Sequence, residues 1–269
     1  MTDTIRAVIL GVIEGLTEFL PVSSTGHLIL AMPWLGIDGE VQPWPTFLYF
    51  IQIGAILAVV IHFFRRLWRQ TFAPAQGGWR NHVLTKIGVG MVPAGVVGLT
   101  LNDFMEAHLE RAVPVAIALV AGAGVMVLIE WRCRRAAGPG IEQVTLRQAL
   151  IIGLTQCVAI VPGTSRSMAT IMGGLAVGLP AATAAEFSFY LAIPTLCGAG
   201  LLRVLKHHEA LLGANAGIMA VGFAVSFFVA WAAVAGFMRY VQTRALYPFA
   251  VYRLFLGLAV LGWWWLGGS

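Results

Sequence analysis

Gly11-Val-Ile-Glu14-Gly-Leu-Thr-Glu18-Phe-Leu-Pro21-Val-Ser23-Ser24-Thr25-Gly-His27 decides how the rest of the chain is read. Two carboxylates, an unbroken trio of hydroxyls and an imidazole sit in a run otherwise apolar enough for a membrane. A polar group in hydrocarbon is costly unless paired, and an intramembrane ionisable residue marks a substrate or ion site by default. Glu14 and Glu18 are four residues apart, so a helix projects both from one face. Pro21 ends or breaks that helix, and Ser23, Ser24 and Thr25 follow where a new one begins. The start of a helix offers free N–H groups and a positive dipole end, which suits a phosphate. Carboxylates beside such a turn suggest a divalent metal, magnesium or calcium, held by Glu14 and Glu18 and shared with a substrate phosphate.

The composition agrees with a membrane setting. Of 269 residues 59% are hydrophobic and 11% charged, against about 25% charged in a soluble domain. An excess of 17 basic over 12 acidic residues invites a nucleic-acid reading. The basic residues instead cluster in short loops between apolar runs, as orientation signals do, so no nucleic-acid partner is expected. Cys133, Cys157 and Cys197 have neither metal-ligand spacing nor an even count and read as packing residues. The first apolar run carries Glu14 and Glu18 and lacks a basic leader, so it is expected to stay in the fold rather than act as a cleaved signal.

Six runs are long enough to span a bilayer: Thr46–Phe64, Leu84–Leu101, Val113–Trp131, Glu186–Leu205, Gly217–Met238 and Pro248–Leu266. Ile5–Met32 and Leu146–Leu179 are apolar but interrupted, by Pro21-Val-Ser-Ser-Thr-Gly and by Pro162-Gly-Thr164-Ser165-Arg166-Ser167. Their halves are too short to cross, and irregular backbone at membrane depth survives only inside protein or beside a cavity. Two re-entrant helical hairpins are predicted. The interruptions align at an offset of 141 residues, each followed by three spanning runs. One hairpin plus three crossings inverts on duplication, so the expected architecture is all-α and polytopic, with inverted-topology repeats over about 1–131 and 132–269. The hairpins then meet near the midplane. With the N-terminus outside, the inner loops hold Arg65, Arg66, Arg69, Arg80, Lys86, Arg132, Arg134, Arg135, Arg147, Arg239 and Arg244, and the outer ones only Arg6, Arg111, Arg203 and Lys206. Both termini, and the acidic segment with Asp103, Glu106 and Glu110, are therefore expected outside.

Arg166 has no acidic residue within 15 positions. Its planar fork matches a phosphate, or it pairs with Glu18 or Glu14 and ties the hairpins together. Thr164, Ser165 and Ser167 either donate to substrate or cap a half-helix, and the same alternatives hold for Ser23 and Thr25. Ser24 is a candidate nucleophile and His27 a candidate proton-transfer group, with a metal-bound water as the alternative attacker. Glu186 either faces the cavity as a substrate contact or caps its helix. Gln52 is expected to hydrogen-bond a hairpin, and Tyr252 and Arg253 to support a hairpin or reach substrate. Trp263, Trp264 and Trp265 read as an interfacial belt, and His207 and His208 as solvated loop residues. The Gly- and Ala-rich Val120–Val125 permits close helix packing, a homodimer included.

These residues resemble the bacterial undecaprenyl pyrophosphate phosphatases, the family linked to bacitracin resistance. The likeness rests on Glu14-Gly-Leu-Thr-Glu-Phe-Leu-Pro-Val-Ser-Ser-Thr-Gly-His27, Pro162-Gly-Thr-Ser-Arg-Ser167, Gln52-Ile-Gly-Ala-Ile-Leu-Ala-Val-Val60 and Glu186-Phe-Ser-Phe189, and it runs through essentially the whole chain. It implies a plasma-membrane phosphatase with Glu18, Ser24, His27 and Arg166 in a site opening outward. It also implies magnesium or calcium, and hydrolysis of the C55 diphosphate to the monophosphate that carries cell-wall precursors. Leu48 departs from the pattern, since many members carry a Glu near that position. The competing expectation is a polyprenyl-phosphate transporter or flippase that binds a headgroup with the same residues. A type 2 phosphatidic acid phosphatase is rejected, because no His occurs between Arg166 and His207.

Overall fold

The structure is a computed structural model that describes residues 1–39, 41–72, 78–109, 111–133, 138–206 and 215–266. Glu110, Arg134, Arg135, His207 and His208 lie outside the described residues, as do the side chains of Asp103, Glu106, Arg203 and Lys206. Among the described residues the regular structure is helical throughout. In chain order the helices are α1 (Asp3–Thr17), α2 (Ser24–Trp34), α3 (Trp44–Phe72), α4 (Val83–Leu109), α5 (Ala112–Cys133), α6 (Leu146–Gln156), α7 (Arg166–Ala176), α8 (Ala181–Lys206), α9 (Ala216–Thr243) and α10 (Tyr247–Trp265).

Local chemistry sets the short elements. Thr145 caps α6 through a reciprocal box, accepting from the Gln148 N–H at 3.2 Å while the Gln148 side chain accepts from the Thr145 N–H at 2.9 Å. A 3-10 turn over Cys157–Ile160 and the Pro162-Gly163 corner then end that half-hairpin before α7. Pro21 and the Ser23 cap do the same between α1 and α2. With α2, α6 and α7 each 11 residues long, a half spans only about 17 Å at 1.5 Å per residue.

The hairpins enter the bundle from opposite ends. At one end Arg6 donates to the Leu35 carbonyl (3.0 Å) and the Trp34 ring meets Trp263 at 5.0 Å, which places the open end of the α1–α2 hairpin beside the C-terminus of α10. At the other end Gln148 donates to the Val177 carbonyl (3.1 Å), Thr183 to that of Pro139 (3.0 Å), and Lys86 to that of Glu142 (2.7 Å). Packing is reciprocal: α1 lies on α9, α6 on α4, and α5 on α10. Missing side chains permit the approach. A Cβ on Gly15 would come within 2.8 Å of the Ser226 carbonyl on α9, and one on Gly153 would strike the Gly90 carbonyl on α4.

Among the described residues five helices are long and apolar enough to cross a membrane, over Trp44–Phe72, Val83–Leu101, Ala112–Cys133, Ala216–Thr243 and Tyr247–Trp265. Their exposed faces carry Ile61, Phe64, Val96, Leu99, Leu128 and Phe255, the pattern of a lipid-facing surface. The sixth expected span, Glu186–Leu205, falls in α8, which is not among the five over its described residues. The first half of α8 is buried against α3, α4 and α7, so it can carry Glu186, Ser188 and Tyr190 with protein partners in place of a purely apolar face.

The repeat register also shifts. Among the described residues, Ser23 (φ 75°) and Ser165 (φ 74°) are the two non-glycine residues with positive φ, and each caps the second helix of its hairpin. From the caps onward the second turn is one residue longer than the 141-residue alignment of the two prolines allows. Gly163, at φ 91°, is the extra residue. A left-handed corner of this kind is open to glycine at little cost.

Candidate active site

The tips of the two hairpins meet inside the bundle, and the polar residues of both turns converge there. Glu14 and Glu18 are 1% and 6% exposed, the second lying just past the end of α1. The Ser24 hydroxyl, at the first position of α2, donates a short hydrogen bond to Glu18 Oε2. Arg166, at the first position of α7, donates to Glu18 Oε1 from Nη2 at 3.1 Å. One carboxylate therefore joins a hydroxyl of its own turn to a guanidinium from the opposite hairpin. Arg166 is further held by the Ser188 carbonyl on α8 at 3.1 Å and lies 5.6 Å from the Phe19 ring centroid.

Two helix N-termini flank this cluster. The Ser23 hydroxyl accepts from the Gly26 N–H (3.3 Å) and the Ser165 hydroxyl from the Met168 N–H (3.2 Å). A capped helix still leaves its first N–H groups without intrahelical acceptors, here those of Ser24, Thr25, Arg166 and Ser167. Both positive dipole ends point toward the turns, which suits a diphosphate. Ser165 and Ser167 share a hydrogen bond of 2.9 Å, and Ser167 donates to the Leu20 carbonyl at 2.7 Å, tying one turn to the other. Since that bond uses the one proton of Ser167, the Ser165 hydroxyl is the donor to Ser167. Thr164 is buried in its turn and Thr25 is exposed at the first turn of α2.

His27 takes a different place from the one a direct base at Ser24 would need. Its Nδ1 lies 2.7 Å from the Ser23 carbonyl and its Nε2 lies 2.6 Å from the Tyr252 hydroxyl on α10, with the two rings stacked 3° from parallel. A carbonyl only accepts, so Nδ1 carries the proton and a neutral ring accepts at Nε2 from Tyr252. The hydrogen-bonded group at Ser24 is Glu18.

Two expectations need correction. Glu186 does not join the turns: its carboxylate pairs with Arg66 of α3 at 2.9 Å and accepts from Tyr190 at 2.9 Å. An acid on a buried helix needs a partner, and here the partner is a basic residue of a neighbouring helix. Among the described residues Gln52 hydrogen-bonds neither hairpin, and the Ile51 carbonyl beside it accepts from Ser226 at 2.7 Å. Arg253, which the sequence left open between hairpin and substrate, supports both hairpins through backbone carbonyls.

The donor set fits a hard divalent cation. Among the described residues, Glu14 Oε1 is buried with no hydrogen-bond partner, an orphaned oxygen beside the Glu18 carboxylate four residues on. Among the described residues no group of three or more His, Cys, Asp or Glu side chains gathers as a dedicated metal cage. Two carboxylates completed by water and substrate phosphate are the usual arrangement for magnesium.

The chain resembles known proteins along nearly its full length. Residues 7–259 match the model of the family described as bacitracin resistance protein BacA. An undecaprenyl-diphosphatase of Novosphingobium aromaticivorans is 45% identical, with 98% of each chain covered. One from Sorangium cellulosum is 47% identical over 95% of this chain and 84% of its own. Undecaprenyl-diphosphatase 1 of Chromobacterium violaceum is 42% identical over 97% of both.

Proposed function

The chain belongs to the family of the bacitracin resistance protein BacA, and from that premise we infer that it is an undecaprenyl-diphosphatase, a membrane hydrolase that converts undecaprenyl diphosphate to the monophosphate and inorganic phosphate. The observation that carries the mechanism is the Ser24–Glu18–Arg166 chain across the two hairpins.

In this mechanism Ser24 Oγ attacks the terminal phosphorus while its proton passes to Glu18 Oε2, to which it is already hydrogen-bonded. The bond from that phosphorus to the bridging oxygen breaks, and the undecaprenyl monophosphate leaves. Water then releases the phosphoryl group from Ser24, and Glu18 returns the proton. Arg166 exchanges part of its contact with Glu18 for the phosphoryl oxygens as charge gathers on them. The free amides at the starts of α2 and α7 hold the remaining oxygens. His27, fixed between Ser23 and Tyr252, orders the wall of the site. Glu14 and Glu18 would hold magnesium or calcium, which supplies charge neutralisation of the diphosphate.

The same reading gives the setting. The protein sits in the bacterial plasma membrane with α8 as a sixth crossing, the two hairpins re-entrant, and the halves related as inverted repeats. Both termini and the mouth of the site face outward. The prenyl tail runs along the apolar groove of about 520 Å³ between α5 and α10, lined by residues such as Val120, Val127, Trp131 and Leu254. That groove adjoins the α10 turn carrying Tyr252 and Arg253.

The test is phosphate release from a C55 diphosphate by purified protein in detergent, with magnesium, calcium or chelator. Release that depends on metal and is abolished by Arg166→Ala in a folded variant is expected. A folded wild type that releases no phosphate in any metal would overturn the reading.

A further inference from the structure

Arg253 is the least explained charge in the molecule. It is fully buried on α10, and among the described residues its hydrogen bonds all end on backbone carbonyls, with no carboxylate in reach. Nη1 donates to Pro21 of the first turn at 3.3 Å. Nη2 donates to Gly163 of the second turn at 3.1 Å and to Ala118 of α5 at 3.1 Å, and Nε to Leu119 at 3.4 Å. One rigid fork thus holds the corners of both hairpins and anchors them to a spanning helix. A lysine, with a single point of charge on a flexible stem, cannot span such a set. The neighbouring helix is shaped for it: a Cβ on Gly122 would fall on Nη2 and come within 2.9 Å of Cζ.

We propose that Arg253 is a positioning residue of the phosphatase, the guanidinium that fixes the two hairpin turns at the spacing where Glu18 meets Arg166. Pro21 lies three residues from Glu18 and Gly163 three from Arg166, so a movement of either corner displaces one member of that pair. The corners come from opposite ends of the bundle, and no shared backbone holds them together. Among the described residues, the direct ties between the turns besides Arg253 are the Ser167 bond to Leu20 and the Glu18–Arg166 pair itself. The proposal rests on the phosphatase reading above.

The experiment compares kcat and KM for the C55 diphosphate, and the thermal midpoint in detergent, for wild type, Arg253→Lys, Arg253→Gln and Gly122→Ala. Gly262→Ala, whose Cβ meets nothing within 4 Å on the same helix as Arg253, is the control. Gly122→Ala is the sharpest variant, because it keeps the charge and suits a helix but pushes the guanidinium off its carbonyls. The atoms it displaces are the flexible ends of Arg253 and Met168, so the fold can accommodate it. Expected are losses in kcat of roughly ten- to a hundredfold for Gly122→Ala and Arg253→Lys, and larger ones for Arg253→Gln. KM should stay within about threefold, with Gly262→Ala like wild type. Wild-type kcat in both Gly122→Ala and Arg253→Lys overturns the proposal, and so does a loss confined to KM, which would make Arg253 a substrate ligand. An inactive wild type instead overturns the phosphatase reading, so the two failures are distinguishable.

Discussion

Glu18 is the residue on which the site turns, because its two oxygens face different hairpins. Oε2 accepts from the Ser24 hydroxyl and Oε1 from an Arg166 N–H. If Ser24 and Glu18 act as one unit, removing either removes the same step. Ser24→Ala and Glu18→Gln are each expected to lower kcat on the order of a thousandfold, and the double variant to be about as impaired as either single. Phosphate-release kinetics on folded protein check this. Multiplying losses, or a Ser24→Ala enzyme within about tenfold of wild type, would favour direct attack by water. The sequence showed why these residues matter, since a carboxylate or guanidinium in an apolar run needs a partner. It could not show which partner. Glu186 satisfies the same sequence argument as Glu18, yet its partner is Arg66, a residue of another helix that leaves no local mark. The Arg253 acceptors are carbonyls up to 232 positions away, and a carbonyl is invisible in a sequence.

At the scale of elements, the breaks between α1 and α2 and between α6 and α7 were legible because proline and clustered hydroxyls interrupt an apolar run. The extra residue in the second turn was not legible, since aligned prolines fix a register only when the turns between them have equal length. The positive φ of Ser23 and Ser165 is a strain of about 1–3 kcal/mol in each turn, held by cap bonds and inter-hairpin contacts. What presses the hairpins into the bundle is helix contact through glycine. Gly153 meets backbone, not a movable side chain: its absent Cβ would sit on the Gly90 carbonyl. Gly153→Ala is therefore expected to destabilise by about 1–3 kcal/mol, the cost of overpacking a rigid contact. Gly236→Ala on α9, whose Cβ meets open space, should raise or leave unchanged the thermal midpoint. Equal midpoints for the two variants would mean that the α4–α6 contact yields more readily than its backbone geometry allows.

For the whole molecule, two hairpins entering from opposite ends make sidedness a consequence of topology. Lys86, Glu142, Pro139 and Gln148 gather at one end, where Arg66 and Arg80 also belong by connectivity. Arg6, Leu35, Gly36 and the Trp263–Trp265 belt mark the other. Composition alone announced a membrane protein, but charge bias oriented it only by counting loops, because no single arginine states which face it occupies. Basic loops are retained on the cytoplasmic side, so the proposed orientation puts the end holding Arg80 inside and the end holding Arg111 outside. A cysteine at either position, in a protein whose Cys133, Cys157 and Cys197 are replaced, reads this directly. A membrane-impermeant maleimide should label Arg111→Cys in intact spheroplasts and Arg80→Cys only in inverted vesicles. The reverse pattern would place Glu18, Ser24 and Arg166 in a site that opens to the cytoplasm. Phosphate release by the same two variants, each outside the hairpin turns, confirms that the labelled protein is the working enzyme.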